Sequence, residues 1–222
     1  MSAVHDFLLS IGVALLALLP IVNPFSTAVL LLSISTQLTP QERNRQITRA
    51  CIYMAGILIL FLVAGHLIML VFGISIPGIR VAGGMVIGVL GFRMLFPDDE
   101  PMASASRQEA QQKTDISFTP LAMPSLAGPG AIAVVITMSS SIVGHRVVDK
   151  VFAYAGVVLA ILLTAIASWL VLRMAEPLRR VMGVNGVNGL ARIMGFLLVC
   201  IGTQFIINGV RDLVLDTAFW QA

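Results

Sequence analysis

Long apolar runs, separated by short polar breaks, dominate the chain. About twenty apolar residues carry a helix across the hydrocarbon core of a bilayer. On that criterion the pattern predicts membrane-spanning segments at 7–35, 46–71, 79–96, 117–141, 150–173 and 191–213. The stretch 97–116 breaks the pattern. From Pro97-Asp98-Asp99-Glu100-Pro101 to Gln111-Gln112-Lys113 it is polar and rich in acidic residues, and reads as a linker with little fixed structure. The chain therefore divides into a first three-segment unit (1–96), the linker (97–116) and a second three-segment unit (117–222).

The two units carry related signals. The first segment contains Pro20-Ile21-Val22-Asn23-Pro24-Phe25-Ser26-Thr27, and the fourth contains Met123-Pro124-Ser125-Leu126-Ala127-Gly128-Pro129-Gly130-Ala131. Each has two prolines four or five positions apart, flanked by small residues, inside an apolar run. Arg80-Val81-Ala82-Gly83-Gly84 opens the third segment, and Arg192-Ile193-Met194-Gly195 opens the sixth. Three is odd, so the second copy has to cross the membrane upside down. The expected fold is an all-α membrane protein of six transmembrane segments, arranged as two inverted three-helix repeats with helices 1 and 4 discontinuous.

A proline inside a helix deletes a backbone hydrogen bond and clashes with the preceding turn, and freed backbone groups are costly in hydrocarbon unless something satisfies them. One such interruption is an ordinary packing kink. Two at matching positions point to a site where two broken helices meet. Their second halves would present N–H donors and positive dipole ends to an anionic group such as a carboxylate. The candidate substrate-binding residues are Asn23, Pro24, Phe25, Ser26 and Thr27 in the first break, with Ala127, Gly128, Pro129, Gly130 and Ala131 in the second. Ser26, Thr27, Gly130 and Ala131 would supply the donors. Asn23 and exposed carbonyls would take an ammonium, and the small residues from Ala127 to Ala131 would limit side-chain volume.

Other residues have plainer readings. Gly84-x-x-x-Gly88 with Gly91, and Gly195, Gly202 and Gly209, suit close helix packing. Arg80 and Arg192 suit interfacial anchors as well as they suit a ligand, His66 suits a hydrogen-bonded packing role, and Thr203, Gln204 and Asn208 form a polar stripe.

Composition narrows the function. Of 222 residues 58% are hydrophobic and only 11% charged, with a mean hydropathy of +0.96. A soluble domain carries about 25% charged residues, so lipid is the solvent that fits. The net charge of +3 is scattered at segment ends, without the basic stripe that nucleic acid binding needs. Arginine and lysine favour the loops after segments 1, 3 and 5, among them Arg43, Arg45, Arg49, Arg107, Lys113, Arg179 and Arg180, which predicts both termini on the periplasmic side. The opening Met1-Ser2-Ala3-Val4-His5-Asp6 lacks a basic n-region, so the first segment is expected to be retained. No phosphate-cradling loop, catalytic constellation or metal-ligand spacing is present, and Cys51 and Cys200 lie within apolar runs. Neither an enzyme nor a cofactor is implied. No carboxylate lies mid-segment to carry a proton or hold sodium.

These motifs resemble the MarC family of bacterial inner-membrane proteins. The resemblance rests on Pro20-Ile21-Val22-Asn23-Pro24, Gly73-Ile74-Ser75-Ile76-Pro77-Gly78, Arg80-Val81-Ala82-Gly83-Gly84, Pro120-Leu121-Ala122-Met123-Pro124, Ala127-Gly128-Pro129-Gly130 and Gln204-Phe205-Ile206-Ile207-Asn208-Gly209. It implies a bacterial plasma membrane, six helices and kinship with archaeal transporters of small neutral amino acids such as glycine and alanine. The expected function is secondary transport of such a solute, with the lipid bilayer and the small-molecule substrate as partners and homo-oligomerisation left open. Two rivals stand beside it. One is efflux of a larger apolar compound, the other a non-transporting membrane protein that binds a lipid or a protein partner.

Overall fold

The computed structural model describes residues 2–96, 115–142 and 147–215. It is helical throughout, with no strand among the described residues. In chain order the elements are α1 (Ser2–Val22), α2 (Pro24–Ile34), α3 (Pro40–Phe72), α4 (Ile76–Leu95), the irregular α5 (Ser117–Leu126), α6 (Pro129–Ile142), α7 (Val147–Arg173) and α8 (Ala175–Leu215). Five stretches are long and apolar enough to cross a membrane: Phe7–Ile34, Pro40–Phe72, Ile76–Leu95, Lys150–Arg173 and Gly186–Leu215. The bent pair α5–α6 makes a sixth if it counts as one span.

Local chemistry sets several of these boundaries. Thr39 and Glu42 form a reciprocal capping box, and Pro40 occupies the first turn of α3, where its missing N–H costs nothing. Gly73, at φ 63°, ends α3 in the left-handed region. Ser75 caps α4 by accepting from the Gly78 N–H at 3.1 Å. At 33 residues α3 is about 50 Å long, well beyond the hydrocarbon core, so its charged first turns stand outside it.

The expected sixth segment, 191–213, falls within the apolar stretch Gly186–Leu215, and the helical run that contains it is kinked at Gly183. Gly183 there has a φ of 68° and a ψ of 174°, a conformation that glycine adopts at little cost. Of the expected linker 97–116 only the last two residues are described. Residues 97–114 lie outside the described set, but Asp115 and Ile116 are fixed: the Ile116 N–H donates to Gln46 Oε1 at 2.9 Å, and Arg49 pairs with Asp115 at 3.3 Å. Hydrogen bonds from Ser117 hold the Asp115 carboxyl below the usual carboxylate range.

The most extensive packing is α4 against α8, and the glycines make it close. A Cβ on Gly84 would lie 2.6 Å from the Gly202 carbonyl, and one on Gly91 would lie 2.6 Å from the Gly195 carbonyl. The two backbones are in van der Waals contact, as small residues permit in membranes. Around this pair α1 packs on α7, α3 on α5, α6 and α7, α4 on α6, and α2 on α7 and α8. Arg80 and Asp212 form an ion pair that ties the first turns of α4 to the end of α8. Outward-facing side chains such as Leu16, Val63, Leu67 and Val71 are more than 60% exposed. So large an apolar surface suits lipid and would be an aggregation hazard in water.

Candidate functional site

The first break falls at Asn23 rather than at Pro20, and α1 runs through Pro20 as far as Val22. Asn23 adopts φ 45°, ψ 67°, a left-handed conformation that asparagine tolerates better than most residues. Its Oδ1 accepts from the Ser26 N–H at 3.3 Å, and its Nδ2 donates to Met94 Sδ at 3.3 Å. Asn23 is thus the N-cap of α2, with Pro24 at the first helical position.

The second break is more severe. Within α5, Thr119 and Met123 have extended backbones, each just before a proline, as the clash with proline Cδ dictates. The Ala127 N–H donates to the Ala122 carbonyl at 2.8 Å, and the chain turns by 61° before α6 resumes at Pro129.

The two breaks touch. Thr27 Oγ1 and Ser125 Oγ lie 2.7 Å apart, a hydrogen bond between hydroxyls 98 residues apart in sequence. Thr27 is fully buried, and Ser125 and Ser26 line a cleft of ≈ 670 Å³ that opens beside them. Ser33, Arg93, Met94 and Arg192 line it as well. Arg179, also in its lining, donates to Glu176 at 2.8 Å, and Arg43 approaches the same carboxylate at 3.8 Å. The Arg179 bond, more than the other nearby arginines, keeps the Glu176 carboxyl below its usual range. Arg93 and Arg192 make no ion pair among the described residues. The cleft therefore carries net positive charge and hydroxyls next to the breaks, a setting that favours a carboxylate.

The candidate residues separate into groups. Ser26 faces the cleft, while Asn23 and Thr27 form its buried support. Pro24, Ala127, Gly128, Gly130 and Ala131 are buried, Phe25 is half-buried and Pro129 is exposed. The donors expected to be free on α2 have partners: Asn23 Oδ1 takes the Ser26 N–H, and the Asn23 carbonyl takes the Thr27 N–H at 3.4 Å. Gly130 meets protein where a ligand was expected. A Cβ there would lie 2.7 Å from Ile87 Cγ1 and 3.4 Å from Ile21 Cγ2, so a larger residue would collide with the core first.

Sequence reasoning missed Ser125, Met94 and Arg93. Ser125 carried a usable signal, a small hydroxyl between Pro124 and Pro129. Met94 and Arg93 carried none, because only tertiary packing, in which α4 lies against α6 and α8, brings them to the first break.

A second cleft of ≈ 380 Å³ lies between α1, α6, α7 and α8. It is mostly apolar, with Val134, Met138 and Phe205 in its wall and Arg80, Thr137 and Asn208 as polar groups. The polar stripe of α8 is otherwise satisfied within its own helix, Gln204 donating to Asn208 at 2.9 Å and Thr203 to the Val199 carbonyl at 2.9 Å. His66 lines a third cavity with Met69 and Ser140. No group of three metal-ligating side chains occurs among the described residues.

Helices this long and apolar, with polar groups gathered where they break, define a polytopic α-helical membrane protein. Residues 8–214 match the MarC family of integral membrane proteins, and the chain belongs to that family. The inner membrane protein MarC of Escherichia coli strain K12 and that of Shigella flexneri are each 40% identical to it over 215 residues, covering 94% of this chain and 97% of theirs. No solved structure matches the chain.

Proposed function

We propose that the chain is a secondary transporter of a small zwitterion, a neutral amino acid such as glycine or alanine, which binds where the two interrupted helices meet. The observation that carries this reading is the Thr27–Ser125 hydrogen bond, which joins both breaks beside the arginine-lined cleft that Ser125 lines. Arg93 and Arg192 suit the carboxylate, and the hydroxyls and carbonyls at the breaks suit the ammonium. In this arrangement Asn23 has a supporting role, holding the first turn of α2.

The accompanying architecture is a 3+3 inverted repeat, α1–α4 against α5–α8. Its support is the reciprocity of the packing. The contact of α1 with α7 has its counterpart in α5 with α3, that of α2 with α7 in α6 with α3, and that of α4 with α6 in α8 with α2, while α4 and α8 pair with each other. A two-fold relation between halves that cross the membrane in opposite senses generates this pattern.

The likeness to the inner-membrane relatives supports a bacterial inner membrane, and the distribution of arginines supports periplasmic termini. A C-terminal alkaline phosphatase fusion should then be active and a green fluorescent protein fusion dark. The reverse result would overturn the orientation while leaving the repeat intact. The transport reading is tested with purified protein in proteoliposomes. Radiolabelled glycine or alanine should accumulate, with and without an imposed pH gradient distinguishing proton coupling from other modes. No protein-dependent flux of either solute would remove the amino-acid assignment.

A further inference from the structure

Along three stretches of the chain one small apolar contact falls between residues of the two clefts, and the clefts are built from equivalent positions. Aligning Asn23–Pro24 with Gly128–Pro129, the residues that open α2 and α6, pairs Val29 with Val134, Leu32 with Thr137 and Ser33 with Met138. The first of each pair lines the arginine cleft and the second lines the apolar one. Aligning Arg192 with Arg80 pairs Phe205 with Arg93, and here too each cleft holds one member of each pair. Two clefts of unrelated origin have no reason to obey one register.

In that contact Ile87 of α4 is fully buried, and its side chain and that of Ile21 both close over Gly130. Each of the three residues is bracketed along its own chain by the two clefts. Ile21 lies between Ala17 of the apolar cleft and Ser26 of the arginine cleft, Ile87 between Arg80 and Arg93, and Gly130 between Val134 and Ser125. Six or seven residues separate Ile87 from either arginine, so about 10 Å of α4 lies on each side of it. Gly130 is where this contact needs the absence of a side chain, since even a methyl group would strike Ile87 at 2.7 Å.

We infer that the apolar cleft beside α6 is the second end of the solute path, and that Ile87, seated on Gly130 and Ile21, is the gate between the two ends. The inference rests on the transport reading for its purpose but not for its geometry. A small solute with an apolar body and a carboxylate would meet Arg93 and Arg192 at one end and Arg80 at the other, with only a side chain or two to displace between them. Arg80 is held by Asp212 in this state, and a carboxylate arriving there would compete for the same guanidinium.

Thiol accessibility tests the inference without a solute. The native thiols are first removed as Cys51→Ala and Cys200→Ser, the former buried and the latter exposed. Ser33→Cys and Met138→Cys then report the two clefts, and Ile87→Cys reports the gate. In sealed vesicles of known orientation, a membrane-impermeant methanethiosulfonate should modify Ser33→Cys from one side only and Met138→Cys from the other only. Ile87→Cys should react at least about tenfold more slowly than either, because the gate opens only in a minor population. Adding Ile87→Ala should raise wrong-side modification of both reporters by about tenfold, since the widened gate is populated open more often. Ile87→Val, a smaller change, should shift both rates the same way by less, which covers the case in which the alanine variant does not fold.

Modification of both reporters from the same side would overturn the inference. So would an Ile87→Cys thiol as reactive as the reporters, or wrong-side rates untouched by folded Ile87→Ala and Ile87→Val variants. The outcome is separable from the amino-acid assignment. Expected labelling without glycine or alanine flux would retain the path and discard the substrate, whereas flux with same-side labelling would do the reverse.

Discussion

Replacing Gly202 with leucine should leave little or no folded protein in the membrane. A Cβ at this position would lie 2.6 Å from the Gly84 carbonyl and from the Gly88 N, and 2.9 Å from the Gly88 Cα. All three obstacles are backbone of the facing helix, so no rotamer change relieves them. Overpacking a core that can adjust costs about 1–3 kcal/mol. Here the relief available is to force α4 and α8 apart, which would sacrifice the largest helix–helix interface in the protein. The control is Gly88→Ala. Although Gly88 completes the Gly84-x-x-x-Gly88 motif, a Cβ on it would meet nothing within 4 Å. It should be tolerated, or stabilise by up to about 1 kcal/mol through the reduced flexibility of the unfolded helix. Detergent-solubilised yield by fluorescence-detected size exclusion, with thermal denaturation of the monodisperse peak, reads both. A Gly202→Leu protein as abundant and stable as wild type would contradict the backbone contact.

Thr27→Val is the second substitution with a large expected effect, this time on function. Valine keeps the volume and β-branching of threonine but removes the hydroxyl that reaches Ser125 at 2.7 Å. The stability lost should be modest, about 0.6–1.7 kcal/mol for a hydrogen bond between membrane helices. Solute uptake should fall by about tenfold or more, because the two breaks would no longer hold one geometry, and 1.4 kcal/mol of misalignment is already a factor of ten. Ser125→Ala should do the same, and the double variant should be little worse than either single one. A double-mutant cycle gives the coupling directly. If the two losses add to within about 0.3 kcal/mol, the hydroxyls do not act together and the breaks are independent kinks. Substitution of Thr48, a hydroxyl that accepts from Trp169 Nε1 at 3.0 Å far along the chain from either break, should lower stability without the drop in uptake.

Much of the architecture was legible in the sequence because the membrane imposes simple rules. Spans have to be long and apolar, and the described helices overlap each of the six expected segments. Proline and asparagine act locally, so the sequence marks the stretches around Asn23 and Gly128 where the backbone leaves regular helix, though not the residue at which it does so. The glycines of α4 and α8 were legible as packing residues for the same reason: a missing side chain in a lipid-solvated helix is most useful where another backbone approaches.

What the sequence could not supply is anything that depends on distance between remote residues. Pro20 and Pro24 look equally disruptive on paper. Tertiary packing holds α1 helical through Pro20 and lets Asn23 take the break, because its side chain caps α2 and bonds Met94. Gly128 and Gly130 look alike too, yet a Cβ on the first would strike the Pro124 carbonyl and one on the second Ile87 of α4, each at 2.7 Å. The pairing of Thr27 with Ser125 spans 98 positions and leaves no periodic trace. Arg93 and Arg192 are unremarkable helix-end cations until α4 and α8 bring them to one cleft. Apolar periodicity, helix breakers and charge bias are properties of short stretches of chain, and they determined the spans and where those spans are weak. Which weak points meet, and which of their polar groups stay unoccupied, was decided by helix packing alone, because the energies that settle it arise between segments that the chain order keeps far apart.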